Sequence, residues 1–291
     1  MRWTNDSNRA YRSTMINESV KYAVVLTPLI PLRSNPEESA EQDTQLLFGE
    51  LVTIQRVEGR WCLITNHNDN YNGWVDPKML TPISESEFHS LISAPKAYIS
   101  APIAIIEHET VEQSNPGIDQ CSTIHLTYGS ILPGYNPNNS TLQVAGEIYK
   151  LSKTDVTYPV ESTNEAFVAS AMKLQGAPYL WGGKSLLGCD CSGLTQVAAS
   201  LVGISLPRNA SQQAEIGEKI ENLQKAKRGD LLFFATSDNK VKHVAILLTP
   251  STILHASGTV HIDTINENGD IESKITTYSH YKLHSIRRVA R

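Results

Sequence analysis

The chain has 291 residues, of which 40% are hydrophobic and 19% charged, with a formal net charge of −5 and a pI near 6.0. This length and this ordinary soluble composition fit two or three domains. Lys and Arg are scattered along the chain, so no basic nucleic-acid-binding surface is expected. Residues 22–32, the longest apolar stretch near the N-terminus, contain two prolines and are too short to span a bilayer, so we expect no membrane partner.

The four cysteines, Cys62, Cys121, Cys189 and Cys191, contain no CxxC pair. A chain of this length does not need a disulfide framework, so free thiols in a reducing compartment are expected. The first 20 residues hold no apolar core of a signal peptide, which favours a cytoplasmic location. An exported protein whose leader is missing from the sequence is the alternative.

The sequence pattern of the N-terminal part of the chain predicts short β-strands. Residues 1–20 are polar and predict an arm or a docked extension. Residues 21–82 contain short β runs, among them 51–54, 61–64 and 73–75, and the links between the later runs have hairpin-like compositions. Short strands at this spacing predict a small barrel.

This barrel resembles a bacterial SH3-like domain, and the matching residues are 47–50, 59–61 and 73–75. A second set of short strands follows over residues 92–157, with a layout that echoes the first. We therefore expect a second SH3-like barrel there.

From residue 160 to 291 the pattern changes to helices followed by strands. Helical periodicity covers residues 165–175 and 191–201, and each helix is followed by a glycine. Five strands are then predicted, at residues 230–235, 244–248, 253–256, 260–265 and 285–289. Helices first and an antiparallel sheet afterwards indicate an α+β domain.

The tetrapeptide Asp-Cys-Ser-Gly at residues 190–193 opens the second of these helices, with Asp190 placed as its N-cap. Unpaired N–H groups and the positive end of the helix dipole stabilise a thiolate at such a position. A lone helical cysteine is more often a small buried hydrophobe. The polar neighbours and Gly193 nevertheless favour a nucleophile at Cys191, whereas Cys189 lacks this position and is interpreted as incidental.

Two histidines downstream supply candidate partners. His243 opens an apolar strand, and His255 lies 12 residues later on the next predicted strand, so the two can be neighbours across a sheet. A base whose second ring nitrogen bonds another polar group keeps its tautomer and orientation. Cysteine, histidine and a third polar group are the minimal set for acyl transfer through a covalent intermediate. Five of the other histidines have no such context and are interpreted as structural or solvated: His67, His125, His261, His280 and His284.

Residues 160–291 resemble the NlpC-type cysteine peptidases, a papain-like family of bacterial cell-wall peptidases. The matching runs occur in the family's order, at residues 178–183, 190–194, 206–208, 229–234, 243–246 and 255–257. With two SH3-like barrels in front, the whole chain is similar to the γ-D-glutamyl-L-diamino acid endopeptidases that recycle murein peptides. The resemblance thus implies an α+β papain-like catalytic domain preceded by two small all-β SH3-like barrels.

The resemblance also implies roles for individual residues. Cys191 would be the nucleophile, His243 the base and His255 the group that orients it. Tyr179 would line the oxyanion site together with the backbone N–H of Cys191. Positions that match substrate contacts of the family are Trp181, Asp190, Ser192, Arg208, Asn209 and, in the first barrel, Glu50.

The family often has Asp and Ser after the Leu-Pro-Arg loop, whereas this chain has Asn209 and Ala210, so these two positions depart from the family's pattern for recognition of the substrate amine. Glu50 would reach the free L-Ala amine of the substrate and so select unblocked peptides; the alternative is a solvated hairpin charge. The resemblance implies a murein peptide as the partner. It also implies that the enzyme uses no cofactor and is a monomer. The preference between diaminopimelate and Lys stays open.

Three other functions are compatible with parts of the sequence. A zinc site built from Cys191, His243, His255 and Asp190 does not have the usual ligand spacing. A non-enzymatic wall-binding module needs a degenerate catalytic set, and the set is complete. Another acyl chemistry, such as N-acetylmuramoyl-L-alanine amidase or wall-lytic activity, is poorly separated by sequence, because one scaffold can serve several leaving groups.

Overall fold

The computed structural model describes residues 16–109, 122–273 and 281–291. Most of the expected N-terminal extension lies outside these residues, as do Cys121 and His280. The chain divides into two compact units, one made of residues up to 126 with 130–156, the other of 127–129 with 157–291. Within the described residues, no helix has the length and apolar character needed to cross a membrane.

The first unit begins with a seven-stranded sheet. Its strands are β1 (Tyr22–Val24), β2 (Leu29–Arg33), β3 (Gln42–Leu47), β4 (Leu51–Glu58), β5 (Trp61–Asn66), β6 (Asn72–Val75) and β7 (Thr81–Ile83). They are ordered β3-β2-β6-β5-β4-β1-β7. The predicted hairpin between β4 and β5 is present, with Glu58 opposite Trp61 and Gly59 at φ +58°. Helix α1 (Glu85–Ser93) follows, and the Ser84 hydroxyl caps its start.

A second group of strands completes the first unit. These are β8 (Ala97–Ile99), β9 (Ile103–Glu109), β10 (Ser122–Thr127), β11 (Ile131–Leu132), β12 (Tyr135–Asn136), β13 (Thr141–Val144), β14 (Glu147–Lys150) and β15 (Val156–Thr157). They form a five-stranded sheet, β10-β9-β14-β13-β12, and a three-stranded sheet, β11-β8-β15. The β-rich N-terminal half expected from the sequence is therefore confirmed.

The two β regions share a hydrophobic core within this unit. Phe48 of the first region and Leu132 of the second both belong to one buried cluster. The Ile131 N–H donates to the Phe48 carbonyl at 2.9 Å. Gly49, at φ +83°, allows this close approach, because a Cβ there would lie 2.0 Å from the Ile131 carbonyl oxygen. The two regions are thus packed together rather than joined by an open linker.

The second unit is the α+β half. It contains α2 (Asn164–Met172), β16 (Lys184–Ser185), β17 (Gly188–Cys189), α3 (Cys191–Ser200), α4 (Ala210–Gln213), β18 (Glu218–Ile220), β19 (Leu231–Ala235), β20 (Val241–Thr249), β21 (Thr252–Ser257), β22 (Thr259–Ile265), β23 (Ile271–Glu272) and β24 (Lys282–Arg288). The large sheet is ordered β18-β24-β19-β20-β21-β22-β23. Helices followed by a sheet confirm the expected fold class. Short 3₁₀ turns at Pro77–Met79, Lys153–Asp155 and Leu223–Lys225 complete the described elements.

Helix α3 lies in the middle of this unit and contacts α2, β20 and β21. Its side chains Leu194, Val197 and Ala198 are buried, as the i, i+3, i+4 pattern predicts. The sheet is apolar on both faces here, for example at Phe233 on one face and Ala245 on the other, and both side chains are fully buried. Because α3 is enclosed on several sides, the position of its first residue, Cys191, is set by the core rather than by a loop.

Candidate active site

Cys191 is the first residue of α3, and Asp190 caps the helix as predicted. The Asp190 Oδ1 atom accepts the Gly193 N–H at 2.7 Å, and its Oδ2 atom accepts the Gly182 N–H at 2.9 Å. One carboxylate therefore joins the start of the helix to the aromatic–glycine loop before it. Gly193 makes the packing possible, because a Cβ there would lie 2.1 Å from the Gly183 carbonyl oxygen.

The Cys191 thiol is buried in the substrate-free structure. Burial raises the pKa of this thiol to about 12, with a further increase from the charge of Asp190. A hydrogen bond from the backbone of Val244 acts in the opposite direction and places the thiol beside the residue that follows His243. The thiolate expected at this helix start is therefore not the resting form, since desolvation outweighs the helix terminus.

Arg208 and Ser192 complete a buried polar cluster around Asp190. Arg208 donates from Nη1 to Asp190 Oδ1 at 3.0 Å and from Nη2 to Oδ2 at 2.6 Å. It also donates to the Ser192 hydroxyl at 2.8 Å and to the Gly183 carbonyl at 3.3 Å. Arg208 is only 1% exposed, so these bonds hold the loop and the helix start together. Substrate contact by Asp190, Ser192 and Arg208 stays a prediction.

Gln213, which the sequence did not single out, supports the same helix start from α4. Its Nε2 donates to the Ser192 carbonyl at 3.0 Å and to the Pro207 carbonyl at 2.8 Å, and its Oε1 accepts the Thr195 hydroxyl at 2.6 Å. All of its polar atoms are used, which suits its complete burial. The sequence held no signal for this role, because the burial of Gln213 is known only from the structure. Asn209, expected to contact substrate, is the N-cap of α4 and is exposed.

His243 and His255 come together across β20 and β21, as predicted. The His243 Nε2 atom lies 2.9 Å from the His255 Nδ1 atom, and both rings are buried. The ring of Tyr281 lies nearly parallel to that of His243, with centroids 6.4 Å apart. Burial lowers the pKa of His243 to about 3 and that of His255 to about 4, so both rings are neutral at neutral pH.

Two further side chains extend this pair. The His255 Nε2 atom lies 3.0 Å from Asp263 Oδ2, and His261 Nε2 lies 3.0 Å from the same oxygen. His261 was interpreted as structural or solvated; with 14% of its side chain exposed and two hydrogen bonds, it is structural. In β22 the polar Asp263 is buried while the apolar Ile262 is 41% exposed, the reverse of an ordinary half-buried strand, and this inversion is visible only in the structure.

His255, His261 and Asp263 are also the group in the described part of the chain whose donor atoms could hold a metal ion, since one atom from each lies within 4.8 Å of the others. This set shares only His255 with the zinc site considered as an alternative in the sequence analysis. Hydrogen bonds at 3.0 Å already join the three side chains, and protons between them account for the geometry.

Exposed aromatic side chains lie in the loop that precedes the nucleophile. Tyr179 is 38% exposed and Trp181 58% exposed. The loop itself is held in place, because the Tyr179 N–H donates to the Gly258 carbonyl at 2.8 Å and the Gly183 N–H donates to the Leu180 carbonyl at 2.9 Å. Large apolar side chains exposed on a fixed loop are suited to contact a ligand.

Glu50 lies in the first unit and is buried, with 4% of its surface exposed. Its Oε2 atom accepts the Leu47 N–H at 3.2 Å and the Asn66 side-chain amide at 3.3 Å. The alternative of a solvated hairpin charge is therefore wrong, because a buried carboxylate held by donors is a positioned group. Its contact with a substrate amine stays a prediction.

The α+β fold with a cysteine at a helix start and a histidine pair on the sheet defines a papain-like cysteine peptidase. The NlpC/P60 family profile matches residues 176–280, and the profile described as bacterial dipeptidyl-peptidase Sh3 domain matches residues 32–80. A "Gamma-D-glutamyl-L-lysine dipeptidyl-peptidase" of Bacillus cereus is 30% identical over 79% of this chain and 72% of its own length. The chain belongs to the NlpC/P60 family and is a hydrolase.

A second relative and one solved structure are also similar to this chain. A protein of the same name from Bacillus subtilis is 29% identical over 77% of this chain and 76% of its own length. The crystal structure of an NlpC/P60 family protein from Bacillus cereus superposes with a TM-score of 0.75, at 21% identity, and the match covers 93% of this chain and all of that one. The last similarity shows the fold, from the β-rich N-terminal half through the catalytic domain.

Proposed function

We propose that this peptidase hydrolyses the bond between γ-linked D-Glu and a diamino acid in short murein peptides, in cell-wall recycling. The observation that carries the proposal is the placement of the Cys191 thiol beside the Val244 amide, with His243 hydrogen-bonded to His255 at 2.9 Å. The names of the relatives supply the substrate class, since they describe a dipeptidyl-peptidase that acts at γ-D-glutamyl-L-lysine.

The chemistry follows from the neutral resting site. The Cys191 proton passes to His243 while the sulfur attacks the carbonyl carbon of the γ-linked D-Glu. The backbone N–H of Cys191 and the Tyr179 hydroxyl stabilise the oxyanion. His243 then gives the proton to the leaving amine of the diamino acid, and water hydrolyses the thioester with the same imidazole as base. His255 holds the ring of His243 in the orientation these transfers need.

Release of a dipeptide requires that the enzyme bind the N-terminus of the peptide at a fixed position relative to the bond that it cleaves. A fixed carboxylate that pairs with the free L-Ala amine would do this, and Glu50 is the candidate. Its support is its burial and its two N–H donors, which hold the carboxylate in one position. Trp181, Asn209 and the Asp190 cluster would contact the rest of the peptide. A cytoplasmic location and a monomeric state stay predictions.

The test is mass spectrometry of L-Ala-γ-D-Glu-meso-diaminopimelate, its L-Lys counterpart and the N-acetylated forms, incubated with wild type, Cys191→Ala and Glu50→Gln. Wild type should release L-Ala-D-Glu from free-amine peptides, and Cys191→Ala should release none. Comparison of the diaminopimelate and L-Lys peptides gives the preference of the enzyme for the diamino acid that leaves. No cleavage of any peptide by wild type would contradict the proposal and favour an amidase or a binding module.

Glu50→Gln keeps the hydrogen bonds to Leu47 and Asn66 but removes the charge. A hydrogen bond to a charged group contributes about 1.5–3 kcal/mol, so KM for the free-amine peptide should rise roughly 10- to 100-fold. Glu41→Gln, an exposed glutamate in the same unit, is the matched control and should leave KM unchanged. Equal cleavage of acetylated and free peptides by wild type would refute recognition of the free amine by Glu50 while leaving the peptidase reaction intact.

A further inference from the structure

The hydrogen bonds around His243 continue beyond His255 to a carboxylate. His243 Nε2 lies 2.9 Å from His255 Nδ1, and His255 Nε2 lies 3.0 Å from Asp263 Oδ2. His255 is completely buried and Asp263 is 7% exposed, so solvent does not compete for these bonds. The three side chains therefore form a continuous path from the candidate base to a negative charge.

Strand pairing creates this path. His255 on β21 lies directly opposite His261 on β22. Asp263 is two residues further along β22, so it projects from the same face as His261 and is a diagonal neighbour of His255. The same alternation leaves Ile262 exposed on the other face. A buried acid costs stability unless it is paired, and Asp263 is paired with both His255 and His261.

The positions of the protons follow from the acceptors. Hydrogen bonds from Ser273, His255 and His261 offset burial and lower the pKa of Asp263, so this carboxylate only accepts. His255 must then carry its proton on Nε2. A neutral His255 accepts at Nδ1, so His243 must donate from Nε2. A neutral His243 is then unprotonated at Nδ1, so Nδ1 is the ring nitrogen that can accept a proton.

We propose that Asp263 is a positioning residue of this peptidase: it fixes the tautomers of His255 and His243 so that the unprotonated Nδ1 of His243 faces the reaction. This inference rests on the proposed roles of Cys191, His243 and His255. In the acylation step the S–H bond of Cys191 breaks, its proton goes to His243 Nδ1, and the sulfur electron pair forms the bond to the carbonyl carbon. That proton leaves with the amine. Asp263 stays ionised throughout and takes no proton.

His261 holds Asp263 in place. Its Nε2 lies 3.0 Å from Asp263 Oδ2 and its Nδ1 lies 2.9 Å from the Thr259 carbonyl oxygen. Burial has the largest effect in lowering the pKa of His255 and of His243, and the nearby His261 lowers both further. The two hydrogen bonds of His261 thus hold the carboxylate that accepts from His255.

The experiment compares Asp263→Ala and Asp263→Asn with wild type in the full-length enzyme. Loss of the acceptor in Asp263→Ala should reduce kcat on the order of 100-fold with little change in KM, because general base catalysis depends on the correct proton position. Asp263→Asn keeps an acceptor oxygen without the charge, so its loss should be smaller, roughly 10-fold. Asp270→Asn, which removes a partly exposed carboxylate paired with Lys282, is the control and should leave kcat unchanged.

A spectroscopic measurement distinguishes the positioning role of Asp263 from a purely structural role. ¹⁵N NMR of histidine-labelled protein should show His243 with its proton on Nε2 in wild type and in Asp270→Asn, and a mixture of tautomers in Asp263→Ala. If Asp263→Ala does not fold, the nearly isosteric Asp263→Asn supplies both measurements. Folded Asp263 variants with wild-type kcat, or a wild-type His243 protonated on Nδ1, would overturn the proposal.

Two controls keep the outcomes distinct. Cys191→Ala must be inactive; activity in that variant would refute the proposed function rather than the role of Asp263. All assays are repeated after treatment with EDTA, because His255, His261 and Asp263 could also hold a metal ion. Loss of wild-type activity on chelation would overturn the inference, since a metal ion rather than protons would then join these side chains.

Discussion

Arg208 donates to both carboxylate oxygens of Asp190, at 3.0 and 2.6 Å, and both side chains are buried. The same carboxylate caps the helix that begins with Cys191. A buried ion pair of this geometry is costly to break, because the remaining charge is left without a partner. The Asp190–Arg208 pair therefore couples the stability of the catalytic unit to the position of its nucleophile.

Replacing Arg208 by Met should lower the free energy of unfolding by about 3–5 kcal/mol, because Asp190 is then buried without its partner. Arg208→Lys should lower it less but still reduce kcat, since one ammonium group cannot make both bonds. Urea unfolding and peptide hydrolysis measure the two effects. Arg228→Lys, which alters an exposed pair with Glu165, should change the free energy of unfolding by less than about 1 kcal/mol. Equal effects of the substitutions at Arg208 and Arg228 on the free energy of unfolding would contradict this prediction.

Acid should destabilise the protein through its buried histidines. Burial lowers the pKa of His243 to about 3 and of His255 to about 4, below the ordinary value of 6.5. Between pH 4 and 6.5 the unfolded chain therefore binds more protons than the folded protein, so the free energy of unfolding falls as pH falls. Each histidine contributes at most about 1.4 kcal/mol per pH unit.

Urea unfolding at several pH values between 4.5 and 7 measures this slope. His243→Gln should make the slope shallower, because one of the two titrating groups is gone. His284→Gln, which removes an exposed histidine from the same sheet, should leave the slope as it is in wild type. A wild-type slope that is flat over this range would show that the two rings are not held neutral in the folded protein.

Gly193→Ala should damage both stability and activity. The new Cβ would lie 2.1 Å from the Gly183 carbonyl oxygen, so the loop or the start of α3 must move. Such overpacking costs about 1–3 kcal/mol, and the displaced Cys191 should lower kcat strongly. Thermal unfolding and peptide hydrolysis test this.

Gly59→Ala is the matched control for that substitution. Nothing lies within 4 Å of a Cβ at this position, so its cost comes only from the backbone angle of φ +58°. A loss of about 1 kcal/mol with unchanged kcat is expected. If Gly193→Ala behaves in the same way, the close contact with Gly183 does not constrain the site.

Much of the fold was predictable because it depends on local patterns. Helix α3 was expected over residues 191–201 and occupies Cys191–Ser200, and the strand expected at 253–256 occupies Thr252–Ser257. Apolar periodicity and capping residues act over a few positions, so a single sequence contains them. The helix expected at 165–175 begins at Asn164 and ends at Met172, followed by turns, because helix ends are set by caps and packing.

The site was predictable in its central members and less so in their surroundings. Cys191 lies at the helix start and His243 lies beside His255, as the motifs indicated. Gln213 and Asp263 were missed, because their partners lie 21 and 8 residues away in the chain and meet only after folding. Arg208 was expected to contact substrate, whereas its described hydrogen bonds go to the protein interior.

The sequence by itself determined the elements and the residue types of the site, since the Asp190 cap, the helix that starts at Cys191 and the strand alternation are local properties of the chain. Only the tertiary structure decided how those groups behave. Burial sets the charge states of Cys191 and His243, and strand register brings Asp263 to His255. Desolvation and long-range pairing depend on what the rest of the chain places around a residue, which no local pattern records.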